Sequence, residues 1–191
     1  APGAYEAMVA EALARMEAGT LAKVVLARTL EVVADAPVDP VPMLRELAHR
    51  DPRGYLFAVD LPGDGPAAPR TLLGASPELL LAREGPLVTA NPLAGSAARA
   101  ADPDEDRRRG EALLASAKDQ HEHALVVADV VERLRPLVED LEVPDEPSLV
   151  ATATLWHLST TVRARVADVD DPGVSALHLA AALHPTPAVC G

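Results

Sequence analysis

Five places in the chain hold residues whose types and spacing could do chemistry. Lys23 opens the largely apolar run K-V-V-L-A-R-T-L-E-V. A lysine there is either a strand-end charge reaching for water or a desolvated amine able to act as a base near neutrality. Glu78 follows Pro77 and precedes three leucines in S-P-E-L-L-L. A carboxyl in apolar company resists ionisation, so it could stay protonated and donate a proton; the alternative is an edge-strand glutamate facing solvent. Asp119 and Glu122 stand three apart in S-A-K-D-Q-H-E-H, with Lys118 one turn before Glu122. Two neighbouring carboxylates on a helix with a packed back can hold a hard cation, and a solvated acidic face is the plainer reading of the helix alone. His121 and His123, two apart, point to nearly opposite sides, so the H-E-x-x-H zinc pattern is absent. His157 lies in a strand-like run, where a histidine is more often a hydrogen-bonded structural residue than a catalyst. Gly95, in N-P-L-A-G-S, would let backbone N–H groups approach an anion closely, but one glycine is weak evidence.

The elements that must position these residues follow from periodicity. Residues 115–134 predict one long amphipathic helix. Leu114, Ala117, His121, Leu125, Ala128 and Val131 form its buried face, and Asp119, Glu122, Val126, Asp129 and Arg133 lie in front. A helix is expected over residues 5–18, stopped by Gly19, and a short one over 42–49. Residues 23–32 predict a strand, with Val24, Leu26, Leu30 and Val32 on one face and Lys23, Val25, Ala27 and Thr29 on the other. Residues 54–60 predict another strand, and 61–70 a turn or loop. Residues 71–81 predict two strand runs split at Gly74 and Pro77. Glu84-Gly85-Pro86 predicts a hairpin turn into a strand over 87–90, and residues 91–96 a loop. Residues 102–109 predict a solvated helix start, 143–147 a loop, 148–167 strand, and 173–183 a helix ended by Pro185.

Composition narrows the class. A chain of 191 residues with 49% apolar residues can build one sizeable domain, and with 2% aromatics its core must be Leu, Val and Ala. One cysteine, Cys190, permits no internal disulfide and suits a reducing compartment. A net charge of −12 argues against nucleic acid or an anionic membrane as partner, and no long apolar run or signal pattern is present, so a cytoplasmic location is expected. An anionic ligand would need local Lys/Arg or a metal ion to reverse the field. The fold class expected is α+β, a sheet core with outer helices.

Six stretches in order resemble the chorismate-utilising enzymes of menaquinone, siderophore and tryptophan pathways: K-V-V-L-A-R, L-G-A-S-P-E-L-L, P-L-A-G-S, S-A-K-D-Q-H-E-H, L-W-H-L-S-T and H-P-T-P-A-V-C-G. Each is weak alone; together they span nearly the whole chain. Within the family the chain looks most like isochorismate synthase, largely through H-P-T-P-A-V-C-G, where Ala188 stands at a position that pyruvate-eliminating members tend to fill with Thr. The resemblance implies Mg²⁺-dependent conversion of chorismate to isochorismate. Lys23 would be the base that activates water for attack at C2, and Glu78 the acid that protonates the departing C4 hydroxyl. Glu122 would be a Mg²⁺ ligand and Asp119 a second, water-mediated one. Gly95, His157, Thr160 and Ala188 would contact the substrate or line its pocket. Oxygen-only ligands agree with Mg²⁺ rather than zinc. The runner-up readings are a salicylate synthase-type lyase, distinguished by pyruvate release, and a non-catalytic chorismate-binding module.

Family members are much longer. The resemblance therefore implies that residues 1–191 form a single partial chorismate-binding domain, lacking an N-terminal portion and the C-terminal part that carries further metal-binding carboxylates and a substrate-binding Arg. Alone, such a chain is expected to be inactive or nearly so. It would leave sheet edges or apolar surface bare, available to self-association or a complementary chain.

Overall fold

The computed structural model describes residues 2–62 and 70–190. The turn expected over residues 61–70 therefore lies mostly outside the described residues. Helices α1 (Pro2–Glu17) and α2 (Pro40–Arg50) come first, then strands β1 (Tyr55–Leu61), β2 (Arg70–Ser76), β3 (Leu79–Glu84), β4 (Leu87–Asn91) and β5 (Leu93–Ala98). Helices α3 (Pro103–Ala115) and α4 (Ala117–Leu134) follow, then β6 (Glu139–Glu142), β7 (Ser148–Ala151), β8 (Leu155–Ser159), β9 (Val162–Arg165), a 3₁₀ turn at Pro172–Val174 and α5 (Ala176–Leu183). The strands form three antiparallel sheets, β1-β2, β3-β4-β9-β6 and β5-β8-β7. This is the mixed sheet-and-helix class expected. No helix among the described residues is long and apolar enough to cross a membrane.

The main core joins β4 and β9 to α4 and α5. Val88, Ala90, Val162 and Ala164 from the sheet meet Val130, Leu134, Leu179 and Leu183 from the helices. Each fully buried Leu or Val here contributes about 1.5–3 kcal/mol relative to exposure, so this cluster is the main source of stability for the sheet and helices it joins.

Local chemistry explains the helix ends. Asp102 caps α3 by accepting from the Glu105 N–H, with Pro103 in the first turn, where a missing N–H costs nothing. Ser116 ends α3 and caps α4, accepting from the Asp119 N–H. The helix expected from residue 115 thus starts one residue past a hinge at Ser116. Asp106 of α3 accepts from both Arg99 nitrogens, Nε and Nη2, and from the Trp156 indole, pinning α3 between the end of β5 and β8.

Several sequence expectations are corrected. Residues 23–32 form no strand, because no segment among the described residues pairs with them to complete a ladder; Leu30 and Val32 are 88% and 79% exposed. The alternation of faces expected there has no sheet to act on. Residues 91–96, expected to be a loop, mostly belong to β5, which pairs with β8 through a register shift between Leu93 and Ser96. Gly74 does not break its strand; it sits within β2 opposite Phe57, whose ring passes 2.7 Å from where a Cβ would stand. The break falls at Pro77 and Glu78, and residues 148–167 hold three strands, not one run.

The buried face of α4 is also corrected. Val126, Val130 and Leu134 point inward, preceded by His123, while Leu114, Ala117, His121 and Ala128 are exposed. Residues 124–131 are apolar at almost every position except Asp129, so periodicity alone admits two stripes. Packing against β5 and α5 selects the one that carries Asp119 and Glu122 at its N-terminal end.

Candidate active site

The site is assembled on β5 and the first turns of α4. β5 turns sharply at Gly95, whose φ is +78°, a region that an L side chain enters only with strain. A Cβ on Gly95 would stand 3.0 Å from the Asp119 Cβ and 3.3 Å from Leu158 Cδ1. The missing side chain thus lets α4 seat against β5, and in this structure the close approach is to Asp119.

Asp119 and Glu122 lie side by side on that turn, and one cation bridges them. Lys118 Nζ donates to Glu122 Oε2 at 2.9 Å and to Asp119 Oδ1 at 3.2 Å. The Ser116 hydroxyl donates to Asp119 Oδ2 at 2.5 Å. Burial alone would raise the Asp119 pKa, but the hydrogen bonds from Ser116 and Lys118 outweigh it and hold this carboxyl below its ordinary value.

Lys23 comes to the same place from far away in sequence. Its side chain is 10% exposed, its Nζ lies 3.9 Å from Glu122 Oε1, and it donates a hydrogen bond to the Pro187 carbonyl. That carbonyl precedes Ala188, so Ala188, half-buried, sits one residue from the Lys23 contact. The segment around residue 23 is therefore tied down by its lysine rather than by a sheet.

Glu78 stands between β2 and β3, beside the start of β5. Its Oε1 accepts from the Leu93 backbone N–H at 3.3 Å. Burial raises its pKa above the ordinary carboxylate value, and the Leu93 N–H opposes this only in part. Leu93 and Gly95 are alternate residues of one strand, so β5 links the Glu78 carboxyl to the α4 carboxylates.

Thr160 and His157 join through other partners. Thr160, buried in the turn after β8, meets His123 Nε2 at 2.7 Å. His123 is 2% exposed; burial lowers its pKa and outweighs the opposing influence of the Ala94 backbone beside it. Its Nδ1 finds no partner of good geometry, so the Ala94 contact is a weak one. His123 is the polar member of the buried stripe of α4. Spacing could have flagged it, since it lies three residues before Val126, but the inward stripe had to be known first. His157 Nδ1 lies 2.8 Å from the Ser96 hydroxyl on β5, and burial lowers its pKa against the pull of Asp51.

Every predicted site residue therefore borders β5, α4 or the segment after α5. Lys23 directly meets Glu122, and Glu78 is connected to them through β5. The oxygen donors Asp119 and Glu122 already converge on one positive centre, the Lys118 ammonium, so the pair suits part of the shell of a hard cation. Among the described residues no cluster of three or more His, Cys, Asp or Glu side chains is placed to hold a metal ion.

The chain belongs to the chorismate-binding enzymes, whose family model matches residues 1–191. Isochorismate synthase DhbC of Bacillus subtilis (strain 168) is 51% identical over 191 residues, covering 100% of this chain and 47% of that protein. Among solved structures, one assigned as the 2,3-dihydroxybenzoate-specific isochorismate synthase DhbC of Bacillus anthracis superposes with a TM-score of 0.92 at 48% identity, covering 98% of this chain and 49% of the other. MenF, the menaquinone-specific isochorismate synthase of Escherichia coli, superposes with a TM-score of 0.69 at 28% identity, covering 81% and 34%. The chain spans about half the length of the curated relatives it matches.

Proposed function

We propose that this chain carries the acid, the base and part of the cation site of an isochorismate synthase, which converts chorismate to isochorismate by adding water at C2 and expelling the C4 hydroxyl. The observation that carries the reading is the meeting of Lys23 with Glu122, 99 positions away in sequence, in a chain half identical to an isochorismate synthase.

Lys23 is the proposed base. Its amine is largely out of water and held by the Pro187 carbonyl at a fixed point beside Glu122. Bound substrate and water would take over those contacts before the nitrogen accepts a proton. Glu78 is the proposed acid, and its raised pKa favours the protonated form that a departing hydroxyl needs. Net change is one proton taken from the attacking water and one given to the leaving hydroxyl, so the reaction consumes neither acid nor base. The family resemblance implies metal dependence, and Mg²⁺ is the proposed ion, which Glu122 would hold in part with Asp119 behind it; when bound it would supply positive charge for the substrate carboxylate. Gly95, His157, Thr160 and Ala188 are proposed to contact or line the substrate site.

The test is product analysis of the whole protein with chorismate and Mg²⁺. Isochorismate without pyruvate is expected, and pyruvate release would overturn the assignment in favour of a lyase. Lys23→Ala and Glu78→Ala should each abolish turnover with the fold intact by circular dichroism; an unchanged rate in either would remove that residue's role.

A further inference from the structure

We propose that Lys118 is a resident counter-ion for the Asp119–Glu122 pair, seated at the cation position in the metal-free protein and displaced when a divalent ion binds. The inference rests on the metal-site reading above and adds a competitor to it. One nitrogen lies 2.9 Å from Glu122 Oε2 and 3.2 Å from Asp119 Oδ1, so a single positive charge spans both carboxylates. Those side chains are only 30% and 19% exposed, so water alone screens their mutual repulsion incompletely. The Lys118 arm, by contrast, is 77% exposed. It can swing into solvent at small cost, because an exposed ion pair is weakly held.

The second lysine at this point is built differently. Lys23 approaches the other oxygen of Glu122 with a side chain only 10% exposed and fastened to the Pro187 carbonyl. Of the two ammonium groups beside Glu122, one is fixed and one is free to leave. An ion that took the oxygens now bound by Lys118 would repel the ammonium at short range, so binding and release are coupled. The lysine keeps two converging carboxylates aligned until the ion arrives, and it weakens the site for that ion by the free energy of the contacts that must break.

The test compares Mg²⁺ binding by calorimetry, at low ionic strength, in the whole wild-type protein and in Lys118→Met, Lys118→Arg and Glu122→Gln. Methionine keeps most of the aliphatic arm and removes the charge. Lys118→Met should bind Mg²⁺ roughly threefold to tenfold more tightly, as two exposed ion pairs no longer compete, while Lys118→Arg should stay near wild type. Equal or weaker binding by Lys118→Met overturns the inference. If Glu122→Gln abolishes binding while Lys118→Met matches wild type, the metal site stands and only the role of Lys118 falls. If Glu122→Gln binds as wild type does, both readings fall together.

Discussion

Replacing Gly95 by alanine probes the point where strand, helix and carboxylates meet. The backbone there has a φ of +78°, and holding an L residue in that region costs about 1–2 kcal/mol. The new methyl would stand 3.0 Å from the Asp119 Cβ, 3.3 Å from Leu158 Cδ1 and 3.4 Å from the Asp119 carbonyl oxygen. None of these is the loose end of a long side chain, so β5 or α4 must shift, and overpacking of this kind typically costs about 1–3 kcal/mol. Together the terms predict a loss of about 2–5 kcal/mol, a large share of the roughly 5–15 kcal/mol by which domains are usually stable. Gly85 supplies the control. Its φ is +60° and a methyl added there would meet nothing within 4 Å, so Gly85→Ala should lose only the backbone part. Urea unfolding followed by circular dichroism measures both. Equal losses in the two variants, within about 0.5 kcal/mol, would refute the claim that Gly95 exists to admit α4, because additive effects of separate sites agree to about that margin.

Other outcomes follow from burial and charge. Glu78 has a folded-state pKa above its unfolded value, so its contribution to stability is present at low pH and is lost as pH rises from the unfolded value of 4.5 through the raised folded one. Glu78→Gln should therefore be no less stable than wild type at pH 7 and should flatten the stability profile above pH 4.5; unfolding midpoints across pH 4–8 check this. Asp106 has the opposite sign. Arg99, assisted by the Ala100 N–H and the Trp156 indole, holds its carboxyl well below the usual carboxylate range, so its contribution is present above the unfolded value of 3.8 and is lost only as pH falls through the folded one. Asp106→Asn should lower the melting temperature at pH 7 and lessen its further fall in acid. Leu183→Ala, in a fully buried position of α5 facing the main core, should cost about 2–5 kcal/mol in urea unfolding.

The candidate site residues stood out in the sequence through their types and neighbours, and the family resemblance assigned their roles. Proline before Glu78 and leucines after it left two readings, a carboxyl in apolar company or a solvent-facing edge glutamate, and the structure places it part-buried with burial raising its pKa. The helix that carries Asp119 and Glu122, the turn at Gly85 and the stop at Pro185 follow from local rules of capping and backbone geometry, which act over a few residues. What periodicity could not settle was the direction each face points. In α4 nearly every position from 124 to 131 is apolar, so the inward stripe depends on β5 and α5, not on the helix itself. In residues 23–32 the β-branched pattern is genuine, yet a strand is a relation between two chains and none of the described residues supplies the second. The meeting of Lys23 with Glu122 and Pro187 belongs to tertiary structure alone: residue types can announce an amine and a carboxylate, but only the packed chain decides that they lie within 4 Å of each other.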